Sequence, residues 1–298
     1  IHPFCPYTSE HLYQTVFDGK QSILLDKWPQ YQELLVNEEI EESFDIMKDV
    51  VSISSAARMK GKLKRRWPLN EAQICVKKNQ KIKLESLADL LKSQLNVEKF
   101  NIIETEEESG LEQLLELKKL GLPVKATLEL ERKKIGPKVK QHMGKLVSMF
   151  KETNPEEIVL ALQKNGKYDF KIDDEIISLD KEDFIVDFDA NENFAMSKRD
   201  EFVVFISTLR NKEMMAKGLV KDIARRLQTL RKEKGYNPTD VLEVASILEL
   251  DEESLEMIKE RDEELAFLVR VKKVNFEESC KEYKDDDIDG LKIRISVE

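Results

Sequence analysis

Apolar positions recur at spacings of three and four along residues 36–69, and this stretch organises the first part of the chain. Asn37 is a good helix N-cap, and the glutamates that follow it place negative charge at the positive end of a helix dipole. The pattern predicts one long helix that ends at or before Trp67, because Pro68 disfavours helical backbone in the residue preceding it. Its inward-facing positions should include Ile40, Phe44, Met47, Val50 and Val51.

Two shorter elements are expected before this helix. A helix capped by Thr8 or Ser9 and ended by Gly19 is expected, and residues 22–25 should form a short extended piece. The apolar positions of that first helix, which should face a core, are Leu12, Val16 and Phe17. Together with the long helix, these elements predict part of a helical bundle over residues 1–69.

The pattern changes after residue 70, where short runs with alternating apolar positions are separated by amphipathic helices. Strands are expected at 71–76, 99–103, 124–130, 168–172, 175–179, 184–188, 202–206, 241–248, 269–276 and 291–297. Helices are expected at 84–95, 111–120, 136–150, 154–166, 212–234 and 252–268. The fold class is therefore α+β and multidomain, with α/β subdomains at 70–190 and 191–298. The sequence shows no internal repeat.

Composition excludes several classes of protein. The 298 residues carry 49 basic and 59 acidic side chains, a net charge of −10. Charged residues make up 36% and hydrophobic residues 41%, which indicates a globular protein. No apolar run is long enough to cross a membrane. Three widely separated cysteines encode neither a disulfide framework nor a zinc site, and a reducing, cytoplasmic setting is expected. The chain begins without Met, and a fragment of a longer protein is expected.

Three basic stretches stand out against this acidic background. They are Arg58, Lys60, Lys62, Lys64, Arg65 and Arg66; then Lys133, Lys134, Lys138 and Lys140 within 132–151; then Lys221, Arg225 and Arg226 on the helix at 212–234. Such stretches are either solvated surfaces or a binding site for a polyanion. RNA is gripped through its phosphates, and its unstacked bases pack on aromatic or Arg planes. Trp67 could stack a base or fill a core. Arg225 and Arg226 could contact RNA or form an inter-domain salt bridge.

Catalytic and metal-binding motifs are not found. The three histidines are scattered, no P-loop or Gly-x-Gly-x-x-Gly is present, and the Asp-x-Asp pairs lack the rest of a calcium loop. We therefore expect no catalytic residue, no metal ligand and no cofactor within this chain.

Several segments resemble a known family. IHPFCPYTSEHLYQTVF (1–17), SILLDKWP (22–29) and ARMKGKLKRRWPL (57–69) are similar to the anticodon-binding bundle of class I tRNA synthetases for isoleucine, valine and leucine. KKIGPKVKQHMGKL (133–146) and EMMAKGLVKDIARRLQTLRKEKGYNPTDVLEV (213–244) resemble the C-terminal region of isoleucyl-tRNA synthetases of the archaeal and eukaryotic type.

The resemblance implies a C-terminal, tRNA-binding part of an enzyme that joins isoleucine to its tRNA with ATP and Mg. The catalytic and editing domains would lie upstream in the same chain, and this part would be inactive alone. The implied partners are isoleucine tRNA and those upstream domains, with no membrane and no DNA. Two alternatives remain open: a protein-interaction scaffold, and the corresponding region of a valyl- or leucyl-type synthetase.

Overall fold

The structure, a computed structural model, describes residues 2–17, 22–28, 30–33, 36–107, 109–139, 142–173, 175–278 and 280–298. The chain divides into two compact units, Ile1–Glu41 and Glu42–Glu298. Helices and strands are both abundant in these residues, and the predicted α+β class is confirmed. No helix among them is both long enough and apolar enough to cross a membrane.

The helices have the following bounds. They are α1 (Pro6–Val16), α2 (Glu38–Lys60), α3 (Lys78–Glu85), α4 (Ala88–Leu95), α5 (Gly110–Lys119), α6 (Arg132–Val139), α7 (Met143–Glu152), α8 (Pro155–Asn165), α9 (Lys212–Glu233), α10 (Glu252–Lys259) and α11 (Asp262–Val269).

The strands form two four-stranded sheets and two small antiparallel pairs. The first sheet has the order β2-β1-β8-β7 and the second the order β10-β9-β12-β11, while β3 pairs with β6 and β4 with β5. The bounds are β1 (Leu69–Val76), β2 (Val97–Glu104), β3 (Val124–Leu130), β4 (Lys167–Ile172), β5 (Glu175–Asp180), β6 (Phe184–Ala190), β7 (Phe194–Arg199), β8 (Phe202–Ser207), β9 (Leu242–Leu248), β10 (Val271–Asn275), β11 (Lys284–Ile288) and β12 (Leu291–Val297).

The first unit departs from its predicted packing. Residues 23–25 form a 3-10 helix rather than an extended piece, because the Ser22 side chain caps it by accepting a hydrogen bond from the Leu24 backbone nitrogen. Helix α1 begins at Pro6 without a side-chain cap, so the predicted cap at Thr8 or Ser9 is wrong. The predicted inward positions Leu12, Val16 and Phe17 are exposed.

The first sheet lies between two hydrophobic cores. Alternate residues of β1 and β8 point to opposite faces, as the period of a strand requires. Ala72, Ile74 and Val204 pack with Met47, Val50 and Ile53 of α2 and with Leu91 and Leu95 of α4. Cys75, Val203 and Phe205 pack on the other side, in a core built by α5–α8 and β3–β6. Burial in this core raises the pKa of the Cys75 thiol to about 12, and the charge of Glu116 adds to the shift.

The second sheet has one core, formed with α9, α10 and α11. Ala245 and Ile247 of β9 face it, together with Ile293 and Ile295 of β12. Leu219, Ile223 and Leu227 supply the helix side of this core. Met215 is exposed, and Met214 is the buried methionine at that end of the helix.

The two sheets belong to a duplicated module that the sequence did not reveal. The first copy (42–104 and 194–207) runs α2-β1-α3-α4-β2-β7-β8, and the second copy (212–297) runs α9-β9-α10-α11-β10-β11-β12. In each sheet the first two strands are parallel, and a C-terminal hairpin adds antiparallel to the first of them. The repetition is one of element order and strand pairing, and an inserted segment (105–193) interrupts the first copy.

A buried arginine occupies the same place in both copies. Arg58, near the end of α2, donates to the carbonyls of Lys64, Trp67, Leu95 and Asn96 at 2.8–3.1 Å. Arg231, near the end of α9, donates to the carbonyls of Asn237, Asp240, Val269 and Arg270. Both guanidiniums thus join the segment after the long helix to the end of the helix before the second strand. Leu69, Ala72 and Ile74 correspond in this alignment to Leu242, Ala245 and Ile247.

Several predicted helices are shorter or divided. Helix α2 ends at Lys60, where Lys62 adopts a left-handed conformation (φ 53°) and the Leu63 backbone nitrogen bonds back to the Arg58 carbonyl. The predicted helix 84–95 is α3 and α4, and 252–268 is α10 and α11. The predicted start at Gly136-Pro137 is wrong, since Pro137 lies inside α6 and a separate helix follows. Strands β7 and β11 were not predicted.

The domain limits at 69/70 and 190/191 stay a prediction. The first sheet combines strands from both sides of residue 190, namely β1 and β2 with β7 and β8. The inserted segment has most of one core, while each copy of the duplicated module has its own.

Candidate nucleic-acid interface

Two of the three predicted basic stretches meet in one cleft. It is lined by the basic linker (residues 61–68), by one face of α9 and by the hairpin β11–β12, and its volume is about 700 Å³. Its cationic side chains are Lys64, Arg65, Arg66, Arg225, Arg226 and Lys284. Three carboxylates also line it: Asp222, Asp286 and Asp289. Six cationic side chains thus line the cleft together with three carboxylates.

Trp67 fixes the linker to α9. Its indole lies on the backbone of the helix at Gly218, where an added Cβ would come within 2.3 Å of the ring. One turn further along, Asp222 Oδ2 accepts a hydrogen bond from Trp67 Nε1 at 2.9 Å. The Arg210 guanidinium lies over the indole, 4.9 Å from a ring centroid. Trp67 thus fills a core position, and of its two sequence-based interpretations the structure supports this one.

Asp222 is the buried centre of a small charge network. It accepts from Lys64 Nζ at 2.9 Å and lies 3.5 Å from an Arg66 nitrogen. Burial alone would raise the pKa of Asp222, but the bonds from Lys64 and Trp67 outweigh that effect and hold the pKa below its usual value. The network positions Lys64 and Arg66 at the mouth of the cleft.

Arg225 and Arg226 have different surroundings, and the salt bridge of Arg226 lies within its own predicted subdomain rather than between domains. Arg225 is exposed in the cleft wall. Arg226 is half-buried, donates to the Asp287 carbonyl at 2.7 Å and lies 3.3 Å from Asp286. Arg226 therefore ties α9 to its own hairpin, whereas Arg225 presents its charge to the cleft.

Arg58 is a structural residue. It is 4% exposed, and its guanidinium is engaged by the four carbonyls described above. Burial, with the charges of Arg210 and Arg65, lowers its pKa to about 10, so it remains charged at neutral pH. This geometry does not present Arg58 to a phosphate. The neighbouring Lys60, Lys62 and Arg65 are exposed.

The third predicted stretch lies on α6, away from the residues that line the cleft. Lys138 binds Asp183 at 2.5 Å and Asp180 at 3.0 Å, and these bonds raise the pKa of Lys138. Lys134 lies 3.4 Å from Glu182, and Lys133 is exposed. Lys140 falls outside the described residues. The acidic turn at 180–183 thus compensates much of this stretch within the fold.

Lys221 lies on α9 but is not among the residues that line the cleft. Its charge instead helps to lower the pKa of Glu98 on β2, an effect that the hydrogen bond from Lys217 dominates. Lys217 binds Glu98 at 2.8 Å and so joins the same helix to the first sheet.

Sequence reasoning missed Lys284, Arg210 and strand β11, although it predicted β12, the other strand of the hairpin. The available signal was Asp289-Gly290, a pair typical of a two-residue hairpin turn, and both residues have positive φ here (54° and 92°). Strand β11 was not predicted, because the acidic residues at 285–287 do not show the alternation of apolar and polar residues that is typical of a strand. No cluster of three or more His, Cys, Asp or Glu suited to a metal ion occurs in the parts of the chain that the structure describes.

Comparison with known proteins gives two findings. Residues 1–74 match the family described as the anticodon-binding domain of tRNA ligase. Isoleucine–tRNA ligase of Clostridium kluyveri is 27% identical over 99% of this chain and 27% of the relative. That of Pyrococcus furiosus is 28% identical over 93% of this chain and 24% of the relative, and that of Methanocella arvoryzae is 25% identical over 100% and 27%.

The chain spans about a quarter of the length of the curated relatives it matches. The similarity extends over both copies of the module and the inserted segment, well beyond the matched family of residues 1–74. The resemblance drawn from the sequence is thereby confirmed: this chain is similar, over nearly all of its length, to a region of isoleucine–tRNA ligases that includes the anticodon-binding domain.

Proposed function

We propose that this chain binds tRNA as a part of an isoleucine–tRNA ligase and that the cleft contacts the phosphate backbone. The observation that carries the proposal is the convergence of the basic linker with Arg225 and Lys284 in one cleft. The linker lies within residues 57–74, at the end of the segment that matches the anticodon-binding family. Phosphate contacts of this kind hold and position RNA without reading its sequence.

The whole protein, in this proposal, attaches isoleucine to isoleucine tRNA with ATP and Mg in the cytoplasm. Activation, and the editing that a one-methylene difference between isoleucine and valine demands, belong to other domains of that protein. The role of this chain is to hold the tRNA. The names of the relatives favour isoleucine over valine or leucine.

The test is binding of the chain to isoleucine tRNA and to a non-cognate tRNA across a salt series. We expect affinity to fall steeply with salt. The variant R65A/R225A should bind more weakly, with a slope reduced by roughly 0.9 for each phosphate that the cleft no longer neutralises. The matched control is K119A/K164A, which removes the same charge from exposed positions that do not line the cleft.

Two results would contradict the proposal. Equal loss of affinity in both double variants would mean that net charge, not the cleft, controls binding. Absence of tRNA binding at low salt by the folded chain would reject the tRNA-holding role. A parallel variant, K133A/K134A, decides whether the exposed part of the α6 stretch adds to the interface.

A further inference from the structure

Cations of the cleft already have internal counter-charges, from the buried Asp222 of α9 and from the exposed hairpin β11–β12. Asp289, at the turn between β11 and β12, forms an ion pair with Lys64 of the linker. Asp286 lies 3.3 Å from Arg226 Nε, and the Asp287 carbonyl accepts from the same guanidinium. A phosphate that entered the cleft would meet Lys64 and Arg226 already paired.

The hairpin β11–β12 of the second copy is longer than the hairpin β7–β8 of the first, and this additional length brings Asp289 to the linker. The pair Val204–Ser197 of the first hairpin corresponds to Ile295–Lys284 of the second, since Ile74 and Ile247 occupy equivalent positions. The first hairpin turns directly after the pair Phe202–Arg199. The second continues through Asp287–Lys292 and Ile288–Leu291 before it turns. The additional residues carry Asp289 to the linker.

The tip is held in place by its own turn. Asp287 Oδ1 accepts a hydrogen bond from the Gly290 backbone nitrogen at 2.8 Å, and Asp289 takes the left-handed conformation that such two-residue turns require. Asp289 remains 63% exposed at its side chain, so water and salt reach the ion pair. An exposed pair of this kind is weak enough to be displaced by a stronger anion.

We propose that Asp289, supported by Asp286, is an affinity- and specificity-determining residue of the cleft that competes with phosphate for Lys64 and Arg226. The inference rests on the proposed function. A single small anion gains little by displacing a tethered carboxylate, which acts at high effective concentration. A polyanion that engages several cations of the cleft at once can displace it. The cleft would therefore select RNA backbone over isolated anions.

The salt dependence of binding gives this inference a distinctive signature. When phosphate binds a lysine neutralised by a tethered carboxylate, no mobile ion is released from that lysine. Lys64 and Arg66 together with Asp222 and Asp289 form a cluster of zero net charge. When the Asp289 carboxylate is removed, Lys64 keeps Asp222 but the cluster gains a net positive charge, which recruits a mobile anion that RNA then displaces. Each such released ion steepens the plot of log affinity against log salt by about 0.7–0.9.

The experiment compares the wild-type chain with D289N and D285N in binding isoleucine tRNA across a salt series. Asparagine tolerates the left-handed turn conformation, so D289N should retain the hairpin. Asp285 is on the same hairpin and highly exposed, but it pairs with Arg294 and does not line the cleft. D285N therefore makes the same charge change at a matched position.

We expect D289N to bind roughly twofold to fivefold more tightly at low salt, as the loss of one exposed ion pair implies, with a slope steeper by about 0.7–0.9. D285N should match the wild type. D286N removes the carboxylate beside Arg226 and is a second variant, for which we also expect tighter binding and a steeper slope. It replaces D289N in the experiment if D289N fails to fold. Thermal unfolding of each variant checks the fold.

Two results would overturn the inference and differ from each other. If the wild type binds tRNA but D289N and D286N do not exceed D285N in affinity or slope, the counter-charge role is wrong and the proposed function stands. If neither the wild type nor any variant binds tRNA at low salt, the proposed function fails, and this inference fails with it.

Discussion

Trp67 Nε1 donates a hydrogen bond to Asp222 Oδ2 at 2.9 Å, across 155 residues of sequence. This bond joins the linker that ends the first long helix to the middle of the second. Around it the indole is enclosed by Gly218 and Arg210, and the carboxylate by Lys64 and Arg66. The two copies of the module are held together here, and the cleft opens at the same joint.

Gly218→Ala should destabilise the chain by about 1–3 kcal/mol, because the new methyl group would overlap the Trp67 ring and overpack the joint. Chemical denaturation measures this loss. The matched control is Gly144→Ala in α7, where the space for a Cβ is open. Since alanine favours helix, that variant should be unchanged or up to ~1 kcal/mol more stable. Equal stability of the two variants would contradict the close packing of Trp67.

Asp222→Asn should lower stability at neutral pH and change its pH dependence. The pKa of folded Asp222 is below the usual 3.8, so the ionised carboxylate contributes stability above that value, and the contribution is lost as pH falls through the lowered pKa. The difference in unfolding free energy between wild type and D222N should therefore be constant near neutrality and shrink below about pH 4. Denaturation at pH 7, 5, 4 and 3 measures it. A constant difference throughout would show that the charge does not matter.

Arg58→Lys and Arg231→Lys should each destabilise the chain by about 1–3 kcal/mol. The planar guanidinium of each arginine donates to four carbonyls, and the ammonium group of a lysine has only three donors and cannot replace it. Unfolding measurements on both variants test the equivalence of the two copies. Lys60→Met, at an exposed position beside Arg58, should leave stability within about 0.5 kcal/mol. A large effect of one arginine and none of the other would contradict a shared structural role.

Lys62→Gly should stabilise the chain by about 0.5–1 kcal/mol. Lys62 has φ 53° at the end of α2, and the equivalent residue at the end of α9 is Gly235, with φ 82°. Left-handed backbone costs a side-chain-bearing residue roughly 1–2 kcal/mol, part of which the greater chain entropy of glycine offsets. Gly235→Ala is the reverse test and should destabilise by about 1 kcal/mol. If K62G is no more stable, the left-handed conformation carries no strain there.

Strongly periodic elements were predictable from the sequence. The helix starts near 154 and 212 and the strand at 124–130 were predicted, and they have local causes in the structure: Asn154 and Asn211 cap the two helices. The division of helix 84–95 was not predictable, because a turn at Ser86-Leu87 interrupts an apolar face that continues on both sides.

The site was predictable only in part. Runs of cations in sequence identified Lys64, Arg65, Arg66 and Arg225, but burial and pairing depend on residues far away. The local sequence of α9 gives no sign that Asp222 and Gly218 contact Trp67, which lies about 150 residues earlier in the chain. Lys284 is followed by three aspartates, so its local sequence does not predict that it lines a cationic cleft. The repeated topology was not predicted either, because the inserted segment (105–193) separates β2 from β7 in the first copy.

That insertion explains why two sheets of one topology differ in chemistry. In the first copy the face turned away from α2 carries Val203 and Phe205, which the inserted segment covers. The equivalent residues of the second copy are Arg294 and Ser296. The first copy could not be reduced to a minimal version by deletion alone, because the exposed sheet would become an adhesive surface. Arg294 is partly buried and Ser296 fully buried, so the second copy also keeps this face covered, and does so without a comparable insertion.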